Sequence, residues 1–126
     1  MKFDVSVPLL GFENIKHVEL KKIDDFFIKM QAIEDEHVSF TLVDPFILID
    51  YDFDVPDKIQ EILEITDKSN ILILNIVVIQ TPIEDSLINF IGPLVFNTDN
   101  KRAAQVILSE STKYGVAEKF STFLNK

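Results

Sequence analysis

The chain contains no cysteine, no tryptophan and only three glycines in 126 residues. The missing thiol excludes disulfides, thiolate catalysis and cysteine-ligated zinc. Scarce glycine, with five prolines, leaves little material for flexible connectors between domains. Positive charge is also short: 12 Lys+Arg against 21 Asp+Glu give a net charge of −9. Direct nucleic-acid binding needs a basic footprint for the phosphates and is disfavoured. Anionic membrane surfaces are disfavoured for the same reason. The longest apolar run, Ile71 to Ile79, is broken by Asn75 and is too short to cross a bilayer as a helix. The opening segment carries Lys2, Asp4 and Glu13 without an apolar centre, so it does not read as a signal peptide. The expected location is the cytoplasm, and the strong net charge favours a monomer.

What is present is a sequence 47 % hydrophobic, which excludes a disordered tail protein. Its length fits one domain over residues 1–126, large enough to bury roughly two thirds of its unfolded surface. Phe3, Val5 and Val7 alternate with Lys2, Asp4 and Ser6, the period of a half-buried strand. Weaker alternation runs from His17 to Ile23. It resumes at Phe26, Ile28, Met30 and Ala32 after Asp24-Asp25, a turn pair. Val38, Phe40 and Leu42 continue it, and Phe46 to Ile49 reads as a further apolar run after Asp44-Pro45. Residues 71–80 are rich in β-branched side chains and predict a central strand buried on both faces. Leu87 to Ile91 and Leu94 to Phe96 flank a bend at Gly92-Pro93, and Gln105 to Leu108 is the last predicted strand. A short helix is predicted near 57–64, after Pro56. A C-terminal helix is predicted within 109–126, where Val116, Phe120, Phe123 and Leu124 make one apolar stripe. The fold class is therefore mainly β: a small antiparallel barrel-like sheet with two helical additions.

Acid is concentrated. From Glu34 to Asp67 there are eleven acids and one base, Lys58, so this window nets −10 and the remainder of the chain +1. Such a window is either a solvated face or a field directed at a basic partner. Asp50, Asp52, Asp54 and Glu61 mimic calcium-loop positions 1, 3, 5 and 12, but Val55 stands where the sharp turn needs glycine. Period-two alternation accounts for them better, with the aspartates facing one way and Tyr51, Phe53 and Val55 the other.

Chemistry-bearing constellations are few. His17 and His37 have no partner at metal-ligand spacing and read as surface residues; no metal or other cofactor is expected. No serine lies in a nucleophile elbow and no glycine-rich phosphate loop exists. Paired carboxylates abound, but acid–base work requires one held protonated in a cleft, which a domain this small rarely provides. An enzyme is not expected. Asn75, Asn89 and Asn97 read as buried amides or turn residues, with a fork for a partner's backbone as the alternative.

Pro8-Leu9-Leu10-Gly11-Phe12-Glu13, Asp44-Pro45-Phe46, Asp50-Tyr51-Asp52-Phe53-Asp54-Val55-Pro56, Asn75-Ile76-Val77-Val78-Ile79, the run Asn89 to Asn97, and Gln105 to Leu108 form an ordered set of segments. That set resembles the FliW family of flagellar assembly factors. The likeness covers about residues 5–108, and the tail 109–126 departs from shorter members. The resemblance implies a non-enzymatic regulator that binds flagellin and also CsrA, a small basic RNA-binding repressor of flagellin translation. Capture of CsrA relieves repression, and cytoplasmic flagellin that occupies the regulator frees CsrA.

On that footing Asp44, Asp50, Asp52, Asp54 and Asp57 are expected to face CsrA. An apolar patch near Ile91, Pro93 and Phe96 is the expected flagellin contact, because the Gly92-Pro93 break exposes backbone. A flagellin-specific chaperone that ignores CsrA and a small-ligand-binding β-barrel are the alternatives. The latter needs an interior cavity, and the β-branched central strand argues for a filled interior.

Overall fold

The computed structural model describes residues 1–108, 115, 117–120 and 122. In chain order the elements are β1 (Lys2–Val7), β2 (His17–Lys22), β3 (Phe27–Ala32), β4 (Ser39–Val43), α1 (Asp57–Ile62), β5 (Ile71–Val78), β6 (Leu87–Ile88), β7 (Leu94–Asn97), β8 (Arg102–Gln105) and β9 (Glu118–Lys119). Two 3-10 turns, Pro45–Ile47 and Ile83–Asp85, punctuate them.

The sheet runs β4-β3-β2-β1-β8-β7-β5, and a further β4–β5 pairing closes it into a seven-stranded barrel. Closure removes the exposed edges that an open sheet of this composition would present. β6 and β9 extend the sheet from the second half of β5. Six of the seven ring contacts are antiparallel. The exception is β1 against β8, which run parallel with Asp4 opposite Arg102. The all-antiparallel expectation is corrected at that contact.

Side chains at period two fill the barrel. Phe3, Val18, Met30, Leu42, Leu74, Leu94 and Phe96 are buried in one cluster, with Leu9 and Ile15 of the β1–β2 loop closing one end. Phe3 and Phe96 meet edge to face with centroids 5.0 Å apart. The filled interior argues against a ligand held inside the barrel. Two further clusters lie outside the ring. Val43, Tyr51, Val77, Ile88, Phe90 and Phe120 form one; Leu63, Val95, Ala104 and Val106 form the other. Both arise because the chain from 48 to 65 wraps around the outer face of β5, β7 and β8. This explains why β5 is apolar on both faces along most of its length.

Several expectations shift. Phe26 lies in the β2–β3 turn and β3 starts at Phe27, since Asp24 Oδ1 accepts from the amides of both at 2.8 Å. Phe46 to Ile49 is not a strand: Asp44 caps a 3-10 turn by accepting from the Phe46 amide at 2.9 Å. The last barrel strand is Arg102–Gln105, not 105–108. α1 spans Asp57–Ile62, within the predicted 57–64. In the C-terminal segment Glu118–Lys119 is a strand on β6, and Phe120 is buried in the outer core. Val116, Phe123 and Leu124 of the predicted helix lie outside the described residues.

Candidate protein-binding face

The wrap begins at Asp44. Its carboxylate caps the 3-10 turn, which leaves Pro45 buried and pushes Phe46 and Ile47 outward at 53 % and 51 % exposure. From Asp50 the backbone is extended without joining a ladder, and burial alternates. Asp50, Asp52 and Asp54 are exposed, whereas Tyr51 is buried and Phe53 and Val55 are half-buried against the outer cores. Extended geometry spaces successive aspartates by about 6.6 Å. Asp57 extends the row as an exposed residue in the first turn of α1, where a carboxylate is favoured.

A segment without ladder bonds needs other anchors. Tyr51 supplies the central one: its hydroxyl donates to the carbonyl of Phe90 and accepts from Asn75 Nδ2 at 3.2 Å. The same amide group donates to the Asn89 carbonyl at 2.9 Å, while the buried Asn75 Oδ1 has no hydrogen-bond partner among the described residues. The Tyr51 ring packs against Phe53 and Phe90 at centroid distances of 5.2 and 5.5 Å. Downstream, Gln60 Nε2 donates to the Val55 carbonyl at 2.8 Å. The aspartates are thus presented from a fixed backbone, so little ordering entropy is left to lose when a partner meets them.

The structure divides the acidic window. Glu34 sits at the end of the barrel opposite Asp44 and is occupied by His17, whose Nδ1 lies 2.5 Å from Glu34 Oε2. Partial desolvation of Glu34 works against ionisation. The His17 side chain and the amides of His17 and Lys16 outweigh it and hold the carboxyl at about 2. His17 Nε2 also lies 3.3 Å from Asp4 Oδ1. Asp99 is likewise held below the usual carboxylate range, by the side-chain and backbone amides of Asn70. Glu64 pairs with Arg102 at 3.0 Å. Asp50, Asp52, Asp54 and Asp57 of the wrap are exposed. Among the described residues no three His, Cys, Asp or Glu side chains are placed to hold a metal ion, and no helix is long and apolar enough to cross a membrane.

The exposure expected at Ile91, Pro93 and Phe96 is corrected by the structure. Phe96 is fully buried inside the barrel, Pro93 is buried and Ile91 is only half-exposed. The Gly92-Pro93 break faces inward: a Cβ on Gly92 would stand 2.8 Å from Gln105 Nε2, whose amide donates to the Gly92 carbonyl at 3.2 Å. Asn89 and Asn97 are local braces. Asn89 Oδ1 accepts from the amides of Ile91 and Gly92, and Asn97 Nδ2 donates to the Leu63 carbonyl. Sequence reading missed the outward turn of Phe46 and Ile47. The signal available was Asp44-Pro45, a cap followed by a residue without an amide donor.

Comparison with known proteins places these features in a wider set. Residues 2–120 match the family described as FliW protein. The flagellar assembly factor FliW of Sulfurimonas denitrificans (strain ATCC 33889 / DSM 1251) is 66 % identical over 126 residues, covering the whole of both chains. Flagellar assembly factor FliW 2 of Wolinella succinogenes is 42 % identical, covering 99 % of this chain and 93 % of its own. A crystal structure of the flagellar assembly factor FliW superposes with a TM-score of 0.88 at 26 % identity, covering 94 % of this chain and 84 % of that one.

Proposed function

The chain belongs to the FliW family of flagellar assembly factors, and from that premise we propose that it is a non-enzymatic, cytoplasmic regulator that binds both flagellin and CsrA. Binding of CsrA lifts repression of flagellin translation. Flagellin that has not been exported occupies the regulator and returns CsrA to its messenger. Two ligands then draw on one limiting protein, and mass action sets the free repressor.

The observation that carries the CsrA arm is the row of Asp50, Asp52, Asp54 and Asp57 on an anchored backbone. A protein that binds RNA presents basic side chains, and a fixed row of carboxylates meets them with steering at long range and charge-assisted hydrogen bonds at short range. Asp44 works at the edge of this face, where its first task is to shape the turn that bears Phe46 and Ile47.

The test is a titration of the purified protein against CsrA and, separately, against flagellin, each at low and high ionic strength. Saturable binding of both, with the CsrA arm weakening in salt, is the expected result. Binding of flagellin alone overturns the CsrA assignment and reduces the protein to a flagellin chaperone. Binding of neither overturns the regulator.

A further inference from the structure

Five large apolar residues that the core leaves exposed gather at one end of the barrel. They are Met1, Ile23, Phe26, Phe46 and Ile47, each at least half exposed. This is the end where β1 begins, β2 ends, β3 begins and β4 ends. At the opposite end Leu9 and Ile15 close the barrel; here nothing comparable does among the described residues. The consequence is a recess of about 310 Å³ among Leu20, Ile28, Leu72 and Phe26, with Asp24 and Asp44 on its rim. Its volume is at the small end of ligand pockets, and barrel mouths are a recurrent place for them.

The chemistry of the mouth has two parts. Its walls are aliphatic and aromatic, and Leu20, Ile28 and Leu72 are continuous with the barrel core. Its rim is acidic. Of the two cations that line it, Lys22 is engaged by Asp25 at 3.7 Å and the Met1 ammonium donates to the Leu20 carbonyl at 3.3 Å, whereas Asp24 and Asp44 each accept backbone amides and make no ion pair among the described residues. Outside the recess Ile23 is exposed, and Phe46 and Ile47 line a second recess with Leu48, Ile49 and Asp50. A small molecule needs only the recess. A skirt of exposed hydrophobes around it is the mark of a protein contact.

We propose that the open end of the barrel is a docking site, separate from the aspartate row, for a polypeptide segment that inserts one large aliphatic side chain flanked by arginine or lysine. The side chain enters the recess, and its cationic neighbours meet Asp24 and Asp44. The flanking backbone lies over Phe26, Phe46 and Ile47. This goes beyond the binding face assigned above and does not depend on CsrA recognition.

The experiment is a set of titrations of the ¹⁵N-labelled full chain, followed by amide chemical shifts. The probes are the N-acetylated, C-amidated tripeptides Arg-Leu-Arg, Arg-Ser-Arg and Glu-Leu-Glu, and 3-methyl-1-butanol. Arg-Leu-Arg is expected to give saturable shifts at residues 22–28 and 44–47. The other two peptides should bind about fivefold or more weakly, having lost the inserted group or the matching charge. Phe26→Ala, a change at a half-exposed turn residue, should weaken Arg-Leu-Arg about fivefold while leaving the unbound spectrum folded. Shifts confined to residues 50–57, or equal binding of Arg-Ser-Arg, overturn the site in favour of plain charge attraction. Equal binding of the free alcohol makes the mouth a small-ligand pocket. Concentration-dependent shifts of the same amides without any probe make a second copy of the chain the occupant. Either result overturns the proposal.

Discussion

Asn75 Nδ2 donates to the hydroxyl of Tyr51 at 3.2 Å, with both side chains buried between the barrel wall and the wrap. Asn75 belongs to β5 and Tyr51 to a segment that pairs with no strand, so this bond fastens a surface feature to the barrel. The hydroxyl in turn donates a hydrogen bond to the Phe90 carbonyl, which ties a third segment to the same point.

Removing that hydroxyl tests the anchor. Tyr51→Phe keeps the ring packing but removes, in a dry environment, a donor from the Phe90 carbonyl and an acceptor from Asn75 Nδ2, which keeps its bond to the Asn89 carbonyl. The expected loss is about 1–3 kcal/mol. In urea denaturation the midpoint should fall with the slope unchanged. An unchanged midpoint would show that the wrap is held by ring packing alone.

Charge reversal at Asp54 separates steering from folding. Its side chain is exposed, so Asp54→Lys should alter stability by no more than about 0.5 kcal/mol. CsrA affinity should drop about tenfold at low salt, mainly through a slower association rate. At about 1 M salt, where the screening length is near 3 Å, variant and parent should converge. Surface plasmon resonance at two ionic strengths reads both effects, and a variant that matches the parent at low salt would remove Asp54 from the face.

Glu34 makes a pH prediction. Its folded value of about 2 lies below the ordinary 4.5, so its ionised form stabilises the folded chain. That contribution is complete above about pH 4.5 and is lost as the pH falls toward 2. Glu34→Gln should therefore be less stable than the parent at pH 6, with the gap closing between about pH 4.5 and 2. Thermal melts across that range check it. A gap that does not narrow would mean that the carboxylate charge is not what binds His17 and the amides.

Gly92→Ala probes the inward bend. The added methyl would press on Gln105, whose Nε2 holds the Gly92 carbonyl and whose Oε1 holds the Leu10 amide at 2.9 Å. Gln105 cannot yield without releasing both, so the expected cost is about 1–3 kcal/mol. The melting temperature should fall by several degrees with the fold retained.

Much of the barrel was legible because its strands alternate. Phe3-Val5, Met30-Ala32 and Phe40-Leu42 declare their inner face by period alone. The aspartate row was legible for the same reason, although Asp50 to Asp54 alternate against an outer core and join no ladder. The parallel β1–β8 contact left no local trace, since Asp4 and Arg102 meet only through the whole ring. β8 was misplaced because its wall residues, Ala103 and Ala104, are too small to stand out beside Val106 and Ile107. The error at Phe96 came from equating a backbone break with exposure. At Gly92-Pro93 the break exists so that Gln105 fits behind it.

The contact between the first strand and the eighth sets an order of events in the birth of the molecule. Asp4 has no partner on that side until Arg102 has been made, so the ring stays open for most of the time the chain is being synthesised. Residues 50–57 can take up their fixed line only when β5, β7 and β8 exist to carry the outer core beneath them. A half-made chain therefore offers no finished aspartate row, and under the proposed function only completed molecules can meet a partner there.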